Sequence, residues 1–332
     1  MNQRKSQQFG ALVFQTDVDW LIATASVGAT PNWQRLGSRQ TPPAQLADAI
    51  ANQMQSEGLK STVALGLHAN STRTANFVVD RPADLRSRQM LTYQLEERLP
   101  MAAEEAVVDF VTEGDHVFGV AAAVHELLPF VQAIHDLNLR VISIAPIATS
   151  ALQAFSASHQ NIEYDYVIWQ TGETLEFFHV GRSVLDWQHL TADASRLDQV
   201  LGVAALRFGV PLQVALCNVE TPLYEHLSSL PDVDIAATES FSIEEQASRT
   251  LVDVLAGKKS PWVELHRAPL LQSQEHPMVG AELARFQAAC VLFCCVLFFF
   301  FMMRGNQYAR LAESALQDQQ AAFQSIYPDS RI

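Results

Sequence analysis

Apolar positions follow two regimes along this chain. Up to Arg285, short apolar runs alternate with stretches of helical spacing; from Phe286 to Met303 the chain is apolar almost without interruption. The first regime predicts strands and helices in alternation. Ala11–Phe14 and Trp20–Ala25 form a hairpin around Gln15, Thr16, Asp17, Val18 and Asp19. Leu46, Ile50 and Met54 recur at helical spacing behind Pro43, predicting a helix over 43–56 with proline where its missing N–H costs nothing. Strands follow at 61–69 and 74–79, a helix at 83–99 stopped by Pro100, and paired strands at 106–112 and 116–124. A helix at 127–137, a strand at 140–145 and a helix at 147–158 complete the first half.

The second half repeats that style. Residues 164–170, 175–180 and 183–190 read as a three-strand meander, 195–208 as a helix, 212–218 as a strand and 242–255 as a helix, with a helical turn opening at Pro222. Meander, helix and strand occurring twice predict two α/β lobes, residues 1–158 and 159–256. Residues 257–285, with Pro261, Pro269 and Pro277, read as a juxtamembrane linker.

The second regime, FQAACVLFCCVLFFFFMM, has eighteen positions, one polar side chain (Gln287) and no charge; Arg285 and Arg304 flank it. As a helix it rises about 27 Å, close to the ~30 Å hydrocarbon core of a bilayer. Apolar on every face, it predicts a transmembrane helix over Phe286–Met303. Residues 304–332 form a tail in which Tyr308, Leu311, Ala315 and Phe323 step by helical spacing. That stripe suits a short coiled coil with a second copy or a membrane partner, or packing against a further domain.

The start of the chain and the cysteines bear on compartment, and net charge on partners. The net charge of −14 lies wholly before the span, since Arg304, Arg310 and Arg331 balance Glu313, Asp318 and Asp329. Such a body repels nucleic acid and anionic headgroups, so no nucleic-acid partner is expected. It suits a basic protein surface, or simply solubility. Glu96, Glu97, Glu104 and Glu105 flank Leu99 and Met101, an apolar tip ringed by carboxylates and a candidate partner contact. No signal-peptide pattern opens the chain, and only Cys217 lies in the large part; both place that part in the cytoplasm and the tail across the membrane. The arginines around the span do not decide its orientation.

Motif scans for chemistry are empty. Gly257-Lys258-Lys259-Ser260 lacks the upstream glycine of a phosphate loop, Gly181-Arg182-Ser183 lacks the closing glycine of a nucleophile elbow, and no histidine pair has helical metal-site spacing. Neither cofactor nor metal is expected.

The block RTANFVVDRPADLRSRQMLTYQLEERLPMAAEEAVVDF (Arg73–Phe110) resembles the cytoplasmic actin-like proteins of secretion and pilus machines: GspL, the L protein of type II secretion, and PilM of type IV pili. LNLRVISIAPIATSALQAF (Leu137–Phe155) resembles their strand and interlobe helix, and VIWQTGETLEFFHVGRSVLDWQHL (Val167–Leu190) the opening strands of their second lobe. A single span followed by a tail ending FQSIYPDSRI resembles the L protein and not PilM.

The resemblance implies a two-lobed actin-like (ribonuclease H-like) cytoplasmic domain, a single-pass inner-membrane anchor and a place in the secretion platform. It implies as partners the secretion ATPase (GspE-like), a single-span platform protein (GspM-like) and a polytopic one (GspF-like). The L protein continues into a small periplasmic domain where this chain stops at Ile332. Actin-like ATPases place glycines and a carboxylate in the first hairpin and an Asp-x-Gly turn in the second lobe. Here the first hairpin has Thr16 and Asp17 with no glycine, and Val18 and Trp20 would crowd the phosphate path; Gln170, Thr171 and Gly172 stand at the second turn. An amide does not balance Mg²⁺ as a carboxylate does. The expectation is a vestigial cleft and a non-catalytic scaffold. Two alternatives stand beside it: a membrane-tethered, ATP-dependent switch, and a PilM-like pilus protein fused to its anchor.

Overall fold

The computed structural model describes residues 8–28, 30–80, 84–271 and 277–326. The ends of the chain, with the terminal part of FQSIYPDSRI, lie outside them, as does the Phe323 side chain. Two compact units emerge, Met1–Gln274 and Glu275–Ile332.

The first unit holds two five-stranded sheets of one plan. In lobe I, β1 (Gln8–Gln15), β2 (Asp19–Ser26) and β3 (Gln34–Ser38) form an antiparallel meander, and β4 (Thr62–Leu67) and β8 (Arg140–Pro146) extend it in parallel, in the order β3-β2-β1-β4-β8. In lobe II the order β11-β10-β9-β12-β13 repeats it: β9 (Tyr166–Thr171), β10 (Thr174–Val180) and β11 (Val184–Thr191) meander, then β12 (Leu212–Cys217) and β13 (Val233–Glu239) run parallel. Inserted in lobe I is an antiparallel sheet β5-β7-β6, from β5 (Arg73–Val78), β6 (Ala106–Glu113) and β7 (His116–Ala123).

Central strands TVALGL, YVIWQT and LQVALC are buried on both faces, as continuous apolar runs demand. α4 (Ile147–Ser158) and α7 (Ile243–Leu255) pack together between the two sheets, joined where the Thr250 hydroxyl donates to the Ser150 carbonyl at 2.8 Å. One apolar core therefore runs from Phe14 and Ile50 through Phe155 to Trp169 and Phe178. α1 (Pro43–Ser56) and α3 (Val124–Asp136) pack together against this core; α5 (Ala194–Phe208) and α6 (Thr221–Ser229) contribute to a second cluster around Tyr166 and Leu201. Ser242 caps α7 by accepting from the Glu245 N–H at 3.1 Å, the S-x-x-E signature of a helix start.

Four features depart from the sequence reading. β3 and β13 are additional, half-exposed edge strands. The helix expected over 83–99 is a 3₁₀ turn at Asp84–Arg86 followed by α2 (Arg88–Glu96), because Ser87 accepts the Met90 N–H and caps a new start. α3 begins three residues early, at Val124. The stretch expected to be a linker is, over 261–270, a strap packed on lobe I: Val263, Leu265 and Leu270 are fully buried. The Leu265 N–H donates to the Ile144 carbonyl at 2.7 Å, and the Ile144 N–H donates to Glu264 at 2.9 Å, so the strap covers the outer edge of β8. Each buried aliphatic side chain contributes about 1.5–3 kcal/mol to that docking.

Among the described residues the second unit is one helix, α8 (Pro277–Ile326), of 50 residues. It contains all of Phe286–Met303, and its stretch Ala289–Ala322 holds an 18-residue window of mean hydropathy 1.9 with none of it buried.

Candidate functional site: the cleft between the lobes

The β1–β2 turn closes on itself. The Thr16 hydroxyl donates to the Asp19 carbonyl and accepts the Asp19 N–H, both at 3.0 Å, and Asp19 pairs with Arg35 at 2.7 Å. Asp17 accepts from the Asn70 side-chain amide at 2.9 Å. Val18 and Trp20, expected to crowd a phosphate path, both line a cavity beside the turn. Val18 points to solvent, and Trp20 is buried with its ring 4.9 Å from Phe130. This cavity, of about 760 Å³, is lined from lobe I by residues that include Asp17, Trp20, Arg39, Leu46 and Phe130.

A polar cluster joins the lobes beside Asp17. His68 follows β4 in lobe I and His189 lies on β11 in lobe II; their rings meet edge to face, centroids 5.6 Å apart. The His68 Nδ1 accepts the Asn70 N–H at 3.2 Å, which leaves the proton of the neutral ring on Nε2. Burial holds the His68 pKa below its ordinary value against the attraction of Glu176. His189 bonds through Nδ1 to Glu176 at 2.8 Å, and this bond raises its pKa. The Trp187 indole N–H donates to the other Glu176 oxygen at 2.6 Å. Nothing in the sequence ties His68 to Glu176 and His189, so this cluster escaped the sequence reading. Glu176 sits inside the cluster and Asp17 at its margin, and the His68–His189 contact ties the lobes together.

In lobe II the Gln170 side chain is buried and bonded at both ends of its amide. Its Oε1 accepts the Glu220 N–H at 2.8 Å, and its Nε2 donates to the Gly172 carbonyl at 3.1 Å. Gly172 has φ of 58°, the left-handed conformation glycine adopts without strain. A carboxylate could not donate to Gly172; the amide braces its own hairpin and the start of α6. Thr171 accepts through its carbonyl from the Thr174 hydroxyl at 2.9 Å. Among the described residues no hydrogen bond joins Thr16 or Asp17 to Gln170, Thr171 or Gly172, and no three metal-ligating side chains cluster.

Two other candidate surfaces are resolved. Leu99 and Met101 are half-buried rather than an exposed tip: Leu99 packs on the cluster of Phe77, Leu91, Leu95 and Val117, which leaves Glu97, Glu104 and Glu105 exposed and Glu96 partly so. On α8, Tyr308, Leu311 and Ala315 are exposed, as are the span cysteines Cys290, Cys294 and Cys295. Cys217 is buried, and burial pushes its thiol pKa well up.

No family model matches this sequence, and no curated protein does. Solved structures do match. The cytoplasmic domain of EpsL, an inner-membrane component of the type II secretion system of Vibrio cholerae, aligns at 14% identity over 78% of this chain and 98% of its own, with a TM-score of 0.51. PilM in the PilM-PilN type IV pilus biogenesis complex aligns at 13% identity over 76% and 99%, with a TM-score of 0.57. A Bacteroides thetaiotaomicron protein with an actin-like ATPase fold aligns at 9% identity over 76% and 98%, with a TM-score of 0.50. The fold is actin-like. The two lobes, the interlobe helices α4 and α7 and the cleft beside Asp17 are thus parts of an actin-like unit, followed in the chain by a helix long and apolar enough to cross a membrane.

Proposed function

We propose that this chain is a non-catalytic scaffold of a type II secretion platform in the inner membrane. Its actin-like unit faces the cytoplasm and recruits the secretion ATPase; α8 crosses the bilayer, places its tail in the periplasm and meets the single-span and polytopic platform proteins. The observation that carries this reading is the joining of an EpsL-like actin fold to a span-length helix. The cleft supports the non-catalytic part. Gln170 has its amide committed to Gly172 and Glu220, and Asp17 lies beside an imidazole–carboxylate cluster instead of a glycine loop.

Two measurements test it. The full chain in nanodiscs should retain the platform's secretion ATPase at micromolar concentration; no retention removes the basis of the reading. Calorimetry with Mg-ATP should give no saturable heat, and tight binding weakened by Asp17→Ala would establish the ATP-dependent switch instead. A pilus protein carrying its own anchor is the second reading, favoured by the higher TM-score to PilM, 0.57 against 0.51. Retention of a pilus motor instead of a secretion ATPase decides for it.

A further inference from the structure

Strand β6 carries two carboxylates that serve different parts of the unit. Glu113, at its end, accepts the Arg182 N–H at 2.9 Å, the Ser183 N–H at 2.9 Å and the Ser183 hydroxyl at 3.0 Å. All three donors belong to the β10–β11 turn of lobe II. The fit is close: a Cβ on Gly181 would stand 2.5 Å from the Glu113 carboxylate. Partial burial works against the charged form, but the backbone donors and the hydroxyl outweigh it and hold the pKa below the ordinary value. Glu113 is therefore an anion set in a backbone nest. From β5 the Thr74 hydroxyl adds a second tie, donating to the Trp187 carbonyl at 3.1 Å.

Asp109 lies four residues earlier on β6, roughly 13 Å away along an extended strand. It is 3% exposed and pairs with Arg88 at 2.8 Å and Arg267 at 3.0 Å; its other oxygen accepts the Glu264 N–H at 2.7 Å. Arg267 and Glu264 belong to the strap. The Glu264 carboxylate in turn accepts from the Ser143 hydroxyl, the Ile144 N–H and the His266 N–H at 2.7, 2.9 and 2.8 Å, which pins the strap to β8. Downstream in sequence lies α8.

We propose that β6 is a coupling element: the seating of the lobe II turn on Glu113 and the seating of the strap on Asp109 depend on one another through this strand. A partner that displaces lobe II then loosens the segment leading to α8, and tension on that segment is felt at the β10–β11 turn. The coupling does not depend on which partner the platform supplies, so it stands or falls separately from the scaffold reading. It follows from geometry: one short strand, both carboxylates inside hydrogen-bond networks, and between them Phe110, Val111 and Thr112 in unbroken ladder register with β7.

Hydrogen exchange of the full chain in nanodiscs tests it. Glu113→Gln should speed exchange not only at 181–191 but also at 261–271, by about fivefold, the low end of a real coupling. Reciprocally, Asp109→Asn should speed exchange at 181–191. Exchange in β9 and β12 should stay unchanged in both, which separates coupling from general unfolding. Should Asp109→Asn fail to fold, the Glu113→Gln arm decides alone. A change confined to the neighbourhood of each substitution overturns the proposal.

Discussion

His266 illustrates what a single side chain contributes. It is 7% exposed, and burial lowers its pKa to about 4; a hydrogen bond with the Ile142 backbone opposes the shift, while His135 and Arg140 add to it. A histidine whose folded pKa lies below its unfolded value stays neutral in the fold while the unfolded chain takes up the proton. Its contribution is complete above the ordinary value of 6.5 and is lost as pH falls toward about 4. The midpoint of thermal unfolding should therefore drop across that window, and His266→Gln should flatten the drop, as circular dichroism melts at stepped pH will register. The sequence marks His266 only as a histidine beside three prolines; its burial comes from the strap. The turn at Gln170 was legible, because Thr171 and Gly172 mark it; that the amide braces Gly172 and Glu220 was not. His68, Glu176 and His189 were not, since their meeting requires both lobes to be in place.

Among elements, legibility followed burial. α1 and α4 begin and end where the apolar spacing puts them, and the β9–β11 meander follows its Gly-marked turns. β3 and β13 drew no assignment from the sequence because edge strands bury little and alternate weakly. The strap misled for a related reason: prolines announce irregular backbone, which it is, yet Val263 and Leu265 alternate with the polar Glu264 as a docked segment does. Between elements the packing is tight. A Cβ on Gly66 of β4 would stand 2.7 Å from the Phe14 ring and 2.8 Å from Ile147, with α4 behind. Gly66→Ala should cost roughly 1–3 kcal/mol of stability through overpacking, read as a lower midpoint in urea at an unchanged slope.

At the scale of the molecule, the repetition is one of topology. The orders β3-β2-β1-β4-β8 and β11-β10-β9-β12-β13 match strand for strand, but no residue pattern repeats with them; only the recurrence of meander, helix and strand betrayed it. The apolar run was the clearest signal in the chain, and α8 extends it into a helix of 50 residues, about 75 Å of continuous rod. Full-length protein should sediment with membranes and resist alkaline extraction. Phe293→Arg together with Phe300→Arg, each adding roughly 3 kcal/mol to insertion, should release much of it. Wild-type protein recovered in the soluble fraction would contradict the anchor.

The covered edge of β8 also sets an order of events during synthesis. Residues 261–270 leave the ribosome after every strand they protect and just ahead of the apolar run. Until then the flank of lobe I is open, a template for pairing with any neighbouring nascent chain. Closure of that edge and emergence of the apolar run therefore fall within the same short interval, and a chain cut before residue 261 should aggregate rather than accumulate as a soluble fragment.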